Sequence, residues 1–106
     1  MVRTAVRDIY LIIDYCLKTN ARLLDVSTSE FYGGGVDGYC IETTPKIVPA
    51  KTTVLLEHAI AKLAAETAIM NHCVVSGLST TIARPFNVAG PLQSPKGAFV
   101  LPRFVQ

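Results

Sequence analysis

One pair of side chains in a long helical stretch has the residue types and the spacing for proton chemistry. His58 and Lys62 lie in a run rich in Ala, Leu, Glu and Lys, and neither Gly nor Pro interrupts the sequence from Ala50 to Ser76. This composition is typical of an α-helix. Residues four apart share a helix face, so a neutral imidazole that can act as a base stands beside a fixed positive charge. The same pair could also lie on a solvated helix face without function. The segments that flank the helix are therefore needed to distinguish a functional pair from a solvated one.

The period of the apolar residues predicts two helices that would position this pair. The first covers residues 3–20, and its end is expected at Asn20, a residue that tolerates a left-handed cap. The second covers residues 51–76 and ends at Gly77. The apolar stripe of the first helix consists of Val6, Ile9, Ile13 and Cys16, flanked by Tyr10 and Leu17. The main stripe of the second helix consists of Leu56, Ile60, Leu63, Met70 and Val74.

Two short strands complete the predicted elements. Residues 22–27 form a mostly apolar strand, and the polar residues that follow lie at its C-terminal end, where α/β sheets carry their chemistry. Residues 78–83 contain the β-branched residues Thr80, Thr81 and Ile82, which favour a strand, and Pro85 ends this strand. A further helix is expected to begin within 98–106. The order predicts one α/β domain over residues 1–106, with parallel strands and a right-handed crossover.

A glycine-rich segment follows the first strand. Gly33, Gly35 and Gly38 match the G-x-G-x-x-G spacing of dinucleotide-binding turns, but that motif requires a helix that opens at its end. Pro45 and Pro49 follow here without a helical period. We therefore interpret the segment as an active-site loop in which glycine permits positive φ angles.

Composition and charge exclude several classes of function. Half of the 106 residues are hydrophobic, 17% are charged, and the net charge of +2 comes from scattered residues. Nucleic-acid binding is therefore not expected. The three cysteines are widely spaced, which favours reduced thiols, a cytoplasmic location and no metal site. No run reaches the roughly 20 apolar residues that a membrane span requires. The high apolar fraction favours a surface for a partner protein.

Three motifs occur in an order that points to a known family. They are the strand-end sequence from Ser27 to Gly33, the Ala/Glu-rich run from Lys62 to Glu66, and Arg-Pro-Phe-Asn-Val-Ala-Gly-Pro from Arg84 to Pro91. Together they resemble the extended short-chain dehydrogenases/reductases, and specifically the NAD-dependent epimerase/dehydratase family that acts on nucleotide sugars. The resemblance covers residues 3–106. It implies a partial Rossmann-like fold that becomes three-layered only if oligomerisation completes it.

The resemblance assigns roles to individual side chains. It implies that Thr28 shares the proton of the substrate hydroxyl. Lys62 would support the catalytic base by its charge and hold the nicotinamide ribose of NAD(P). His58 stands where the family has its catalytic tyrosine, and Pro85 matches a residue near the nicotinamide. The residues matched to binding of the nucleotide sugar are Ser29, Glu30 and Asn87.

Two departures from the family pattern bear on activity. An imidazole at position 58 can still act as a base, and it can equally mark an active-site position that has drifted from its former role. By comparison with the family pattern, we expect this chain to lack the glycine-rich βαβ half that binds the dinucleotide and most of the substrate-binding cap. Ser29 argues against dehydration, because dehydratases carry an Asp-Glu pair at this point.

The resemblance also implies a partner. In the family, the helices corresponding to 3–20 and 51–76 pair across a dimer as a four-helix bundle, so we expect a homo-oligomer, most simply a dimer. Three functions remain open. The chain is a fragment of a nucleotide-sugar epimerase/dehydratase without independent turnover, an active NAD(P)-dependent oxidoreductase or epimerase subunit completed by another chain, or a non-catalytic oligomerisation module.

Overall fold

The computed structural model of the chain describes residues 2–32, 38–48, 53–94 and 104. Its elements are α1 (Val2–Thr19), β1 (Leu23–Val26), a 3-10 turn (Glu30–Tyr32), α2 (Val54–Ser76) and β2 (Thr80–Ala83). The strands β1 and β2 are parallel, with Leu23 opposite Thr80 and Val26 opposite Ala83. The predicted order of helix, strand, long helix and strand is confirmed, and so is the parallel pairing. The 3-10 turn was not predicted.

Local sequence explains where the helices begin and end. Asn20 follows α1 with a φ of 56°, which its short polar side chain tolerates. The hydroxyl of Thr53 accepts a hydrogen bond from the Leu56 amide and so satisfies one of the free donors at the start of α2. Gly77 takes the left-handed conformation at the other end, with a φ of 70°. The two C-terminal caps expected from sequence are therefore present.

The main core lies between the two helices and one face of the sheet. It contains Ile9, Ile13 and Cys16 from α1, Ala65 and Ile69 from α2, Leu23 from β1, and Leu78. Alternate residues of a strand point to opposite faces, so Leu24 and Val26 lie on the other face of β1. They are 64% and 54% exposed. Parallel sheets usually have both faces covered, and the described part of the chain covers one.

The stripe predicted for the long helix lies mostly outside this core. Ile60, Met70 and Val74 are exposed, whereas the buried residues of α2 are Ala59, Ala61, Ala65, Glu66 and Ile69. Apolar residues occur around most of the circumference of α2, so their period does not select the inner face. The small alanines face inward, and they allow α2 to approach its neighbours closely.

Some predictions fall on residues that the structure does not describe. Gly33, Gly35 and Pro49 lie outside the described residues, as does the helix expected within 98–106 apart from Phe104. Gly38 is described, and its φ of 78° agrees with the positive angle expected of the loop. Within the described residues, neither helix is long and apolar enough to cross a membrane.

Candidate active site

The helix α2 brings Lys62 to the C-terminal end of β1. The Lys62 ammonium donates a hydrogen bond to the Val26 carbonyl, with 2.6 Å between nitrogen and oxygen. Leu23 and Ser27 donate their amides to Ser79 and Ala83 across the ladder. Val26 lies between these two residues in the alternation of a parallel ladder, so its carbonyl points away from β2. Lys62 therefore binds a backbone carbonyl on the side of β1 that faces away from β2.

The residues after β1 form a tight turn that buries Thr28. The Thr28 hydroxyl accepts a hydrogen bond from the Glu30 amide at 3.2 Å, and the Tyr32 amide donates to the Ser29 carbonyl at 3.0 Å. Thr28 is 8% exposed, whereas Ser29 is half-buried and Glu30 is exposed. The turn directs Phe31 inward, where it packs in a second cluster with Tyr32 and Ala59 of α2.

The remaining residues singled out from sequence lie on α2 and in the segment after β2. His58 is half-buried on α2, one turn before Lys62. Pro85 and Asn87 are exposed and follow β2. The C-terminal ends of neighbouring parallel strands lie at the same end of a sheet. The structure thus brings Lys62 to the strand that leads into Thr28, and it places Pro85 and Asn87 after the adjacent strand.

A buried ionic cluster beside this edge was not anticipated from sequence. The Glu66 carboxylate is 1% exposed. Arg84 grips it with two hydrogen bonds, one to each oxygen and both 2.8 Å long, and Lys46 adds a third at 3.1 Å. Burial raises the pKa of Glu66, but the polar groups of Arg84, Ser27 and Lys46 around the carboxylate outweigh burial and lower the pKa to about 2. Hydrogen bonding to Glu66 also raises the pKa of Arg84 above its usual range.

Arg84 also fastens the described loop 38–48 to the sheet. Its guanidinium donates to the Tyr32 hydroxyl at 2.7 Å and to the Glu42 carbonyl at 3.0 Å. The same group lies 5.4 Å from the centre of the Phe31 ring, and Lys46 lies 5.2 Å from that ring. Arg84 and Glu66 therefore join the end of β2, the helix α2, the 3-10 turn and the loop.

A cavity of about 270 Å³ adjoins this cluster. Phe86 stacks on Tyr32 beside it, with the two rings 6.4 Å apart and nearly parallel. The cavity is lined by Tyr32, Cys40, Ile41, Glu42, Ile82, Arg84 and Phe86. Arg84, its cationic lining residue, already donates hydrogen bonds to protein acceptors. The walls therefore favour a flat or apolar group over an anion.

Sequence carried a signal for this cluster. Glu66 lies four residues after Lys62 and three residues before Ile69. An acidic residue therefore occurs among the residues of α2 that are buried. Arg84 stands directly after a strand. A charge at a buried position needs an opposite charge, and Arg84 at the end of β2 was one candidate for it.

Comparison with known proteins agrees with the motifs. The sequence model of the protein family described as NAD dependent epimerase/dehydratase family matches residues 1–106. The chain is 32% identical over 97 residues to a UDP-N-acetyl-alpha-D-glucosaminuronate decarboxylase from Bacillus cytotoxicus. This alignment covers 90% of the chain and 29% of that protein. The chain therefore spans less than a third of the length of this relative.

Proposed function

This chain belongs to the NAD dependent epimerase/dehydratase family, and from that premise we propose that it is a catalytic-helix segment of a nucleotide-sugar enzyme without turnover of its own. The observation that carries the proposal is the hydrogen bond from Lys62 to the end of β1, two residues before Thr28. It holds a cation of the helix at the sheet edge where parallel sheets carry their chemistry.

Within this proposal, NAD(P) would supply the hydride acceptor. The Lys62 ammonium has three N–H donors, and Val26 takes one of them. The others suit the hydroxyls of a ribose. A diphosphate needs a cluster of backbone donors, and the first turn of α2 in the described structure is capped by its own Thr53. The described residues thus fit the nicotinamide end of the cofactor better than its diphosphate, which supports a lack of independent turnover.

The remaining assignments follow the family pattern. Thr28 and His58 would handle the proton of a sugar hydroxyl, with the imidazole in place of a phenolate as the base. Pro85 would contact the nicotinamide. The sugar nucleotide would contact Ser29, Glu30 and Asn87. The name of the relative makes a UDP-linked sugar acid the first substrate to test.

Calorimetric titration tests the proposal. We expect no heat of binding at micromolar concentrations from NAD⁺, and none from UDP-glucuronic acid. A His58→Tyr variant should also stay silent, because restoring the phenol does not supply a diphosphate site. Micromolar binding of either ligand to the unmodified chain would contradict a fragment without its own activity. If the His58→Tyr variant bound either ligand and the unmodified chain did not, the imidazole at position 58 would be what prevents binding.

The face of the sheet that the described residues leave exposed supports an alternative, in which the chain is an NAD(P)-dependent subunit completed by another protein. Leu24 and Val26 are exposed on that face, as would suit packing against further α/β structure. A separately produced N-terminal half of the Bacillus cytotoxicus relative is a suitable probe. Release of CO₂ from the UDP-sugar acid by the mixture, but by neither protein alone, would favour this alternative. Absence of a complex in the mixture would argue against it.

A groove along the outer surface of the helices supports a third candidate, a homodimer or oligomerisation module. Its lining residues are Tyr10, Ile60, Leu63, Ala64, Thr67, Ala68 and Asn71. Such a face suits a second copy packed against it by two-fold symmetry. Light scattering after size exclusion should give the mass of a dimer. Ile60→Glu should shift it to monomer, whereas Leu55→Glu, at another exposed position of α2, should not. A monomer of 11.4 kDa at micromolar concentration would exclude the dimer.

We further propose a cytoplasmic location. Cys16, Cys40 and Cys73 are all free thiols, and reduced thiols are typical of cytosolic proteins.

A further inference from the structure

A second acidic side chain, Asp25, enters the interface between α2 and the sheet. It lies in the middle of β1 between Leu23 and Ser27, which are buried on the same face of the strand. Its Oδ2 atom is shielded from solvent and has no hydrogen-bond partner within the described residues. An unpartnered buried oxygen is costly, so its presence in a core strand calls for an explanation.

The charged groups that face Asp25 come from α2. Burial raises the pKa of the Asp25 carboxyl, Lys62 opposes that rise, and Glu66 adds to it. Glu66 already binds Arg84 and Lys46, so within the described residues Lys62 is the cation that attracts Asp25. From the other packed elements, β2 (Thr80–Ala83) has no titratable side chain, and α1 contributes the buried thiol of Cys16 to the core beside Leu23.

The ammonium of Lys62 lies at the residue next to Asp25 in the chain, because it donates to the Val26 carbonyl. A single neutral acceptor is a weak tether for a long side chain with several rotatable bonds. A carboxylate in the adjacent strand position adds a charge that draws the ammonium toward the same edge. The Val26 carbonyl fixes the direction of Lys62, and the Asp25 carboxylate supplies the attraction.

We infer that Asp25 is a positioning residue for Lys62: its carboxylate is the counter-charge that keeps the ammonium at the end of β1, and protonation of Asp25 loosens it. The functional consequence rests on the proposed role of Lys62 in the active site. The positioning itself is a property of this chain and requires neither NAD nor a sugar nucleotide.

This role predicts two effects of opposite sign. The folded-state pKa of Asp25 is raised above the ordinary value of 3.8, so the folded chain binds the proton more tightly than the unfolded chain. Stability is then greatest below that ordinary value and falls as pH rises through the folded-state pKa. Removing the charge at neutral pH should therefore stabilise the fold while it frees Lys62. A purely structural side chain would lose stability when replaced.

Nitrogen-detected NMR of the lysine ammonium groups tests the inference. In Asp25→Asn we expect the Lys62 ammonium protons to exchange with water about threefold faster than in the unmodified chain, as loss of a partly screened charge attraction would allow. The matched control is Asp14→Asn, an exposed carboxylate on α1, and it should leave Lys62 unchanged. Unchanged exchange in Asp25→Asn would overturn the inference.

The unmodified chain provides a second measurement that does not depend on the folding of a variant. The carboxyl carbon of Asp25 should titrate above its ordinary pKa, and the exchange rate of Lys62 should change at the same midpoint. Titration of Asp25 at or below 3.8, or a Lys62 rate that ignores that midpoint, would equally overturn the inference. Failure to bind NAD⁺ in calorimetry would leave both results intact, so the two proposals fail separately.

Discussion

The two acidic side chains between α2 and the sheet, Glu66 and Asp25, meet opposite surroundings. Glu66 receives two hydrogen bonds from Arg84 and one from Lys46, and its pKa falls to about 2 although burial opposes this. Asp25 keeps an oxygen without a partner, and burial raises its pKa despite the nearby charge of Lys62. Burial is common to both, so the number of donors within reach decides the sign of the shift.

This difference divides the sheet edge into a clamped side and a responsive side. On the clamped side, Arg84 and Glu66 join α2, the turn and the loop through bonds of 2.7 to 3.1 Å. On the responsive side, Lys62 reaches a neutral carbonyl and an under-satisfied carboxylate. Lys62, for which we propose a role in the active site, lies on the responsive side. Functional groups are often held at such incompletely satisfied positions, next to a rigid support.

Removing the carboxylate of the clamped side should have the largest effect on stability. Glu66→Gln leaves the guanidinium of Arg84 in place, with its side chain 18% exposed and without its counter-charge. Breaking a buried pair on one side typically costs about 3–5 kcal/mol of the free energy of unfolding. Urea unfolding at pH 7 measures it. Glu42→Gln, whose side chain is exposed while its backbone carbonyl still binds Arg84, should cost much less. Equal costs for the two variants would show that the clamp is not the main ionic support.

Acid should distinguish the two carboxylates by sign. The folded-state pKa of Glu66 lies below its ordinary value of 4.5, so its contribution is complete above that pH and is lost as pH falls towards about 2. Asp25 works in the opposite direction, because its raised pKa favours the fold as it takes up a proton. Unfolding followed between pH 5 and 2 should therefore show a loss in the unmodified chain that Glu66→Gln largely abolishes. An acid profile unchanged by Glu66→Gln would refute the assignment of the loss to Glu66.

The order of elements could be predicted from the sequence because local signals agree with the fold. Helix composition, the caps at Asn20 and Gly77, and the strand-ending Pro85 all act within a few residues. The inner face of α2 could not be predicted in the same way. Its large apolar residues Ile60 and Met70 are exposed, while alanines and Glu66 face the core. The helical period therefore does not identify the buried face of α2, which depends on the elements that pack against it.

The candidate site divides in the same manner. The motifs placed Thr28, Lys62 and Asn87 near one edge of the sheet because strand ends fix where loops begin. The surroundings of Glu66 and Asp25 come from the packing of α2 against the sheet. Arg84 reaches Glu66 across 18 residues, and no sequence motif links Asp25 to the charges of Lys62 and Glu66. Both acids share one sequence feature, since each lies two or three residues from an apolar residue that is buried in the core, Leu23 for Asp25 and Ile69 for Glu66.

Lys46 provides the finest test of the comparison, because it is the dispensable member of the clamp. Its side chain is 29% exposed, so water screens its charge, and Arg84 continues to hold both oxygens of Glu66 when Lys46 is removed. Lys46→Met keeps most of the apolar stem over Phe31 and should cost about 0.5–1 kcal/mol in urea unfolding. If it instead costs as much as Glu66→Gln, then one bidentate arginine is insufficient for a buried carboxylate in this fold. Asp25 would then also need more hydrogen-bond donors to stay ionised than the bidentate contact of a single arginine provides.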